Sequence, residues 1–124
     1  MNNSINKQLQ AIVQAIYDKK GSNFLVLDVR GISSMTDYYI IAEGNVDRHV
    51  KALGDTVKDV LAKENLAPLH VEGLQEGDWA VLDYGDIVIH LFIPELREKY
   101  ALEELWKEGK VVNIKVNIPT LPKM

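Results

Sequence analysis

The stretch EGDWAVLDYGDIVIHLF, Glu76–Phe92, decides the fold. Two apolar segments flank Tyr84-Gly85-Asp86, a turn signal between strands, so the stretch reads as a β-hairpin. Side chains alternate along a strand, so Trp79, Val81 and Asp83 share one face of the first strand, and Ala80, Leu82 and Tyr84 share the other. Val88, His90 and Phe92 share a face of the second strand. Three polar groups, Asp83, Asp86 and His90, sit in or beside these strands. Burying an unpaired polar or charged group costs several kcal/mol, so each must be hydrogen-bonded, face solvent or do chemistry.

Outward from the hairpin, the chain alternates between helical and extended patterning. Asn3 or Ser4 can cap a helix with Ile5, Leu9, Ile12, Val13 and Ile16 on one stripe, stopped by Lys19, Lys20 and Gly21. Phe24–Val29 is a short aliphatic strand, and the loop GISSMTD leads to a second strand, Tyr38–Ala42. Asn45 or Asp47 can cap a second helix, whose Val50, Leu53, Val57, Val60 and Leu61 recur at three- and four-residue spacing until Asn65 and Pro68. A brief strand, Leu69–Val71, precedes the hairpin. After it, Pro94 opens a third helix carrying Leu96, Tyr100, Leu102, Leu105 and Trp106. The order α-β-β-α-β-β-β-α predicts an α/β domain of α+β character, with a mixed five-stranded sheet and packed helices. In the tail, Val112, Ile114, Val116 and Ile118 alternate with Asn113, Lys115 and Asn117 before Pro119 and Pro122 close the run. That pattern suits either an edge strand or a tail ordered by a partner.

Composition narrows the function. The 124 residues, 47% hydrophobic and 26% charged, suit one ordinary domain. There is no cysteine, which removes disulfide frameworks, thiolate chemistry and cysteine metal sites. The first residues carry no signal-peptide pattern, and no run approaches the ~18 apolar residues of a membrane span; a soluble cytoplasmic protein is expected. The net charge of −4 comes from intermixed acidic and basic residues, so little direct nucleic-acid binding is expected.

No catalytic constellation emerges. Asp83, Asp86 and His90 include metal-ligand types, but Asp86 is better read as a turn former bonding nearby amides. His49 and His70 add no ligand spacing. The Gly–Ser loop GISSMTD is of the kind that handles phosphate in nucleotidyl transferases, yet no Asp-x-Asp pair exists to hold magnesium. Ser33, Ser34 and Thr36 are then expected to satisfy backbone groups. No metal and no cofactor is expected. Trp79, Arg97, Tyr100 and Trp106 remain, and aromatics and arginine are the types that dominate protein-binding hot spots.

Several of these residues carry a family resemblance. LDVRGISSMTDYYIIAEG, Arg48–Val50, DWAVLDYGDIVIHLF and LREKYALEELW resemble the Iojap family of bacterial ribosomal silencing factors. Asp78–Trp79, Asp83, Gly85–Asp86, His90, Arg97, Tyr100, Leu102–Glu103 and Leu105–Trp106 match its pattern. The tail after Glu108 is longer than the compact ending of many members. The resemblance implies residues 1–108 as a single silencing-factor domain, with 109–124 as a C-terminal extension. It implies a nucleotidyltransferase-like fold without the catalytic carboxylates. It also implies a non-enzymatic repressor that binds the large ribosomal subunit through ribosomal protein fourteen (uL-fourteen) and blocks subunit joining when nutrients are scarce. Large-subunit assembly and self-association off the ribosome are further implied roles, and a residual nucleotidyltransferase, which would bind nucleotide with magnesium, is the rival of a different class. Trp79, Asp83, Asp86, His90, Arg97, Tyr100 and Trp106 are the expected partner-binding residues.

Overall fold

The computed structural model describes residues 2–116. Helix α1 (Asn2–Asp18) precedes strands β1 (Ser22–Asp28) and β2 (Tyr38–Glu43), and helix α2 (Asp47–Ala62) follows. Strands β3 (His70–Glu72), β4 (Trp79–Asp83) and β5 (Ile87–Phe92) lead to helices α3 (Pro94–Tyr100) and α4 (Leu102–Leu105), then strand β6 (Lys110–Val111). One six-stranded sheet results, in the order β3-β4-β5-β2-β1-β6, with β2 and β5 parallel and every other neighbour antiparallel.

The expected mixed sheet is present with six strands rather than five. The sixth comes from the tail: Lys110 and Val111 pair with Asp28 and Leu27, and the Val112 N–H donates to the Val26 carbonyl at 2.9 Å. This strand, Lys110–Val111, is shorter than the alternation predicts, and β1 bulges in its pairing with β2 between Ser22 and Leu25, where Asn23 takes a left-handed φ of 52°. The alternation still sorts the tail: Val112, Ile114 and Val116 are partly buried against the core while Asn113 and Lys115 are exposed. Residues 117–124, with Ile118, Pro119 and Pro122, lie outside the described residues.

Three helix boundaries differ from expectation. α1 already includes Asn3 and Ser4, and its end is turned by Lys20 at φ 70° rather than by Gly21. The N-cap of α2 is Val46, without a side-chain cap, in place of Asn45 or Asp47. There the His49 ring does the tying: Nδ1 accepts the Asn45 N–H at 2.9 Å, so Nε2 donates to the Lys19 carbonyl, 2.7 Å away, at the end of α1. The third helix is two. Ala101, at φ 45°, breaks it into α3 and α4, and the elbow lets Leu102 enter the core.

α1 and α2 pack together on one face of the sheet, where Leu9, Ile12, Ile16, Leu53, Val57 and Leu61 meet Ile40, Leu82, Ile89 and Leu91. β2 and β5 are central and buried on both faces, which explains their nearly unbroken apolar runs. Against the second face lie Leu102, Leu96 and Trp106 from the α3–α4 elbow. That second face carries the polar exception, His90.

Candidate functional site

Strand register builds the site. Trp79 lies opposite Phe92, Val81 opposite His90 and Asp83 opposite Val88, while β2 brings Tyr39 beside Val88 and Ile41 beside His90. All these side chains point away from α1 and α2, as the parity of the hairpin predicts. Pro94 starts α3 directly after β5, and the Ala101 elbow then returns the chain over the sheet. Tyr100 arrives 4.9 Å from Trp79, and Trp106 stacks on Tyr39 at 3.5 Å between centroids and 8° between planes.

His90 sits at the centre of these rings, 5.8 Å from Tyr39, 5.8 Å from Trp106 and 6.0 Å from Trp79. The Trp79 indole Nε1–H donates to its Nδ1 at 3.0 Å. Nδ1 is therefore an acceptor and the neutral ring carries its proton on Nε2. Burial pushes the imidazole down to about 4, because a charged ring here would lose its hydration. Within the cluster, Tyr100 is 46% exposed, while His90 is only 8% exposed, so the accessible part of the cluster is its Tyr100 rim.

Of the seven expected residues, four come together: Trp79, His90, Tyr100 and Trp106. Tyr39 and Phe92 join them, although sequence reasoning had placed neither in the site. The signal for Phe92 was available, since it shares the His90 face by strand parity, whereas Tyr39 reaches that face only through the parallel pairing of β2 with β5, which is not encoded locally.

The other three stand apart. Asp83 Oδ1 accepts the Gly85 N–H at 2.8 Å, in a turn where Gly85 takes φ 87°. Asp86 is exposed, and its contribution is its backbone carbonyl, which accepts from the Asp37 and Tyr38 N–H groups at 3.2 and 3.1 Å. The turn-bonding role expected of Asp86 thus belongs to Asp83. The GISSMTD loop is pinned to the same turn, with Thr36 Oγ1 donating to the Gly85 carbonyl at 2.8 Å and Ser33 Oγ accepting the Met35 N–H at 3.1 Å.

Arg97 turns inward, away from the rings. It bonds the Asn23 carbonyl, pairs with Glu43 at 3.4 Å and with Glu103 at 3.3 Å, and its side chain is only 12% exposed. Asn23 Nδ2 holds the other Glu43 oxygen at 3.1 Å. An open, largely acidic cleft of about 710 Å³ borders this network. Arg97 therefore fastens the α3–α4 elbow to the ends of β1 and β2.

Together the fold and site define a mixed α+β domain with two long helices on one sheet face and an aromatic cluster under the short α3–α4 elbow on the other. Comparison with known proteins makes the class particular: the family model "Ribosomal silencing factor during starvation" matches residues 2–123, and the chain belongs to that family, the one also called Iojap. A ribosomal silencing factor from Bacillus subtilis is 34% identical over 106 residues, covering 86% of this chain and 90% of the relative. A crystal structure from Chromobacterium violaceum superposes with a TM-score of 0.79 at 31% identity, covering 90% of this chain and 92% of that one. A mouse protein named "Mitochondrial assembly of ribosomal large subunit protein 1" is 31% identical over 101 residues; the match covers 79% of this chain and 44% of the relative.

Proposed function

We propose that this chain is a non-enzymatic cytoplasmic repressor of translation that docks by its aromatic face on the large ribosomal subunit, at ribosomal protein fourteen (uL-fourteen), and keeps the small subunit away by occupying space. The observation that carries the reading is the Trp79–Tyr100 pair, 4.9 Å apart, in which the exposed Tyr100 opens a ring cluster whose His90, Tyr39 and Phe92 are buried and whose Trp79 and Trp106 are partly buried. A large aromatic side chain that is half exposed and rigidly backed, as Tyr100 is by Trp79, has the character of a binding anchor. The net charge of −4 suits a basic partner. Membership in the silencing-factor family supports the repressor role, and the resemblance supplies the identity of the partner. No helix among the described residues is long and apolar enough to cross a membrane.

In this reading Trp79 and Tyr100 touch the partner, His90 and Trp106 hold them from beneath, and Asp83 and Asp86 shape and charge the neighbouring turn. Co-sedimentation with purified large subunits tests it, comparing wild type with Tyr100→Ala after circular dichroism has verified the fold. Retention should weaken by roughly 30-fold, as loss of a hot spot of about 2 kcal/mol implies. Normal pairing of isolated subunits in the presence of saturating protein would overturn the repressor reading.

A second reading, a large-subunit assembly factor, is favoured by the name of the mouse relative. It requires that cells lacking the protein accumulate immature large subunits even in rich medium.

A further inference from the structure

The chain after β5 is fastened to one strand, β1, at two points. At the start of β1, the Arg97 guanidinium bonds the Asn23 carbonyl. Past the elbow, β6 runs antiparallel to the other end of β1, with Leu27 opposite Val111 and Asp28 opposite Lys110, and the Val112 N–H donates to the Val26 carbonyl. Between these two pins lie the Ala101 break, α4 and Trp106. The tail then crosses the sheet edge: Trp106 lies on the His90 face, whereas Val112, Ile114 and Val116 pack against the core of the α1–α2 face. There Gln10 of α1 donates to the Lys115 carbonyl. Gly109 makes the crossing, where an added Cβ would stand 3.1 Å from the carbonyl oxygens of Asp28 and Trp106.

Each piece of this segment is too short to hold itself. Among the described residues, α3 buries no side chain, α4 buries only Leu102, and β6 is a two-residue ladder. Helices and strands of this length depend on tertiary packing. The left-handed backbone of Ala101, at φ 45°, is unfavourable for alanine and persists when its flanks are fixed. The two pins fix them. A close turn then links the second pin to the rings: the Gly109 N–H donates to the Trp106 carbonyl at 2.8 Å, with Lys107 and Glu108 between. While β6 is paired, Trp106 reaches Tyr39 on a short tether at little further entropic cost. Once β6 is released, the stack must order the chain by itself.

We propose that residues 94–116 work as a clasp, in which the elbow and the tail leave and rejoin the sheet together as one cooperative unit. Closed, the clasp presents Tyr100 and keeps Tyr39, His90 and Phe92 covered. Open, it carries Tyr100 and Trp106 away together and bares that face. The tail is then a working part of the aromatic site. The bearing of the clasp on docking rests on the reading above, but the clasp itself requires no ribosomal partner and is tested on the free protein.

Native-state hydrogen exchange reads the opening through three bonded amides: Ala101 in the elbow, which donates to the Arg97 carbonyl at 2.8 Å, Gly109 at the crossing and Val112 in the tail. In the wild-type chain their protection factors should agree within ~3-fold, share one urea dependence and fall at least ~10-fold below those of the central amides of β2 and β5. The absence of cysteine allows a lock. Asp28→Cys with Lys110→Cys puts two thiols on directly paired residues, roughly 4.5–5.5 Å apart at Cα and within disulfide reach. Oxidation should raise Ala101 protection at least ~10-fold over the reduced form of the same protein. The wild-type measurement needs no substitution, so the test survives a variant that does not fold. Val112 exchanging by a private fraying while Ala101 keeps core-level protection, or Ala101 equally protected in the oxidised and reduced forms, would overturn the clasp.

Discussion

The indole of Trp79 donates to Nδ1 of His90 at 3.0 Å across the β4–β5 pair, tying a buried imidazole to a partly buried indole. The bond works only while Nδ1 is unprotonated. Burial holds the folded imidazole down at about 4, against an unfolded value of about 6.5. Above about pH 6.5 both states are neutral and the stability is fully present. As pH falls from 6.5 toward 4, the unfolded chain takes the proton and the folded chain does not, so stability declines, by about 3 kcal/mol in all. We predict that urea unfolding of wild type loses about 2–3 kcal/mol more than His90→Gln between pH 7.5 and 4.5. Parallel pH profiles for the two proteins would remove His90 as the cause.

The Tyr39–Trp106 stack, at 3.5 Å and 8°, joins the central strand to the segment after α4. Offset or stacked aromatic pairs add about 0.5–1.5 kcal/mol beyond their buried area. A double-mutant cycle with Tyr39→Leu, Trp106→Leu and both together should therefore return a coupling near 1 kcal/mol in thermal or urea unfolding. Coupling indistinguishable from zero would show that the two rings do not stack in solution.

How much of this was legible follows from the range of each interaction. The hairpin, both long helices and the facing of Trp79, Val81 and His90 follow from period-2 and period-3.6 patterning, which acts between near neighbours. The break at Ala101 was not legible. Its left-handed φ of 45° is unfavourable for alanine, and it is held by contacts far away in sequence, Leu102 in the core and Arg97 on Glu43. Tyr39 was missed for the same reason, since its place beside Val88 depends on a parallel pairing across the whole of α2, β3 and β4. The inward turn of Arg97 likewise needs Asn23 and Glu43, residues that no local pattern links to it.

Arg97 is a keystone of the elbow, and the cost of its removal should exceed that of an ordinary surface residue. Glu43, 14% exposed, and Glu103, whose Oε1 is buried with no hydrogen-bond partner among the described residues, would both face each other's charge without it. Breaking a largely buried pair from one side costs about 3–5 kcal/mol, much of it from the charge left behind. Arg97→Met should therefore destabilise by about 3 kcal/mol, and adding Glu43→Gln should recover at least 1 kcal/mol of that loss. Equal stability of Arg97→Met and wild type in urea would place the guanidinium in solvent instead.

Asp83 and Asp86 flank one turn and yet should respond oppositely to truncation. Asp83 Oδ1 accepts the Gly85 N–H at 2.8 Å, whereas Asp86 serves the fold through its main-chain carbonyl and leaves its side chain exposed. Asp83→Ala removes an acceptor from a left-handed glycine turn and should cost about 1 kcal/mol, with Asp83→Asn keeping most of the bond. Asp86→Ala keeps the carbonyl and should stay within about 0.5 kcal/mol of wild type. Large-subunit binding then separates charge from shape: a loss with Asp86→Ala at unchanged stability assigns its carboxylate to the partner. Stability losses in the reverse order, greater for Asp86→Ala than for Asp83→Ala, would mean that the turn is bonded by the other carboxylate.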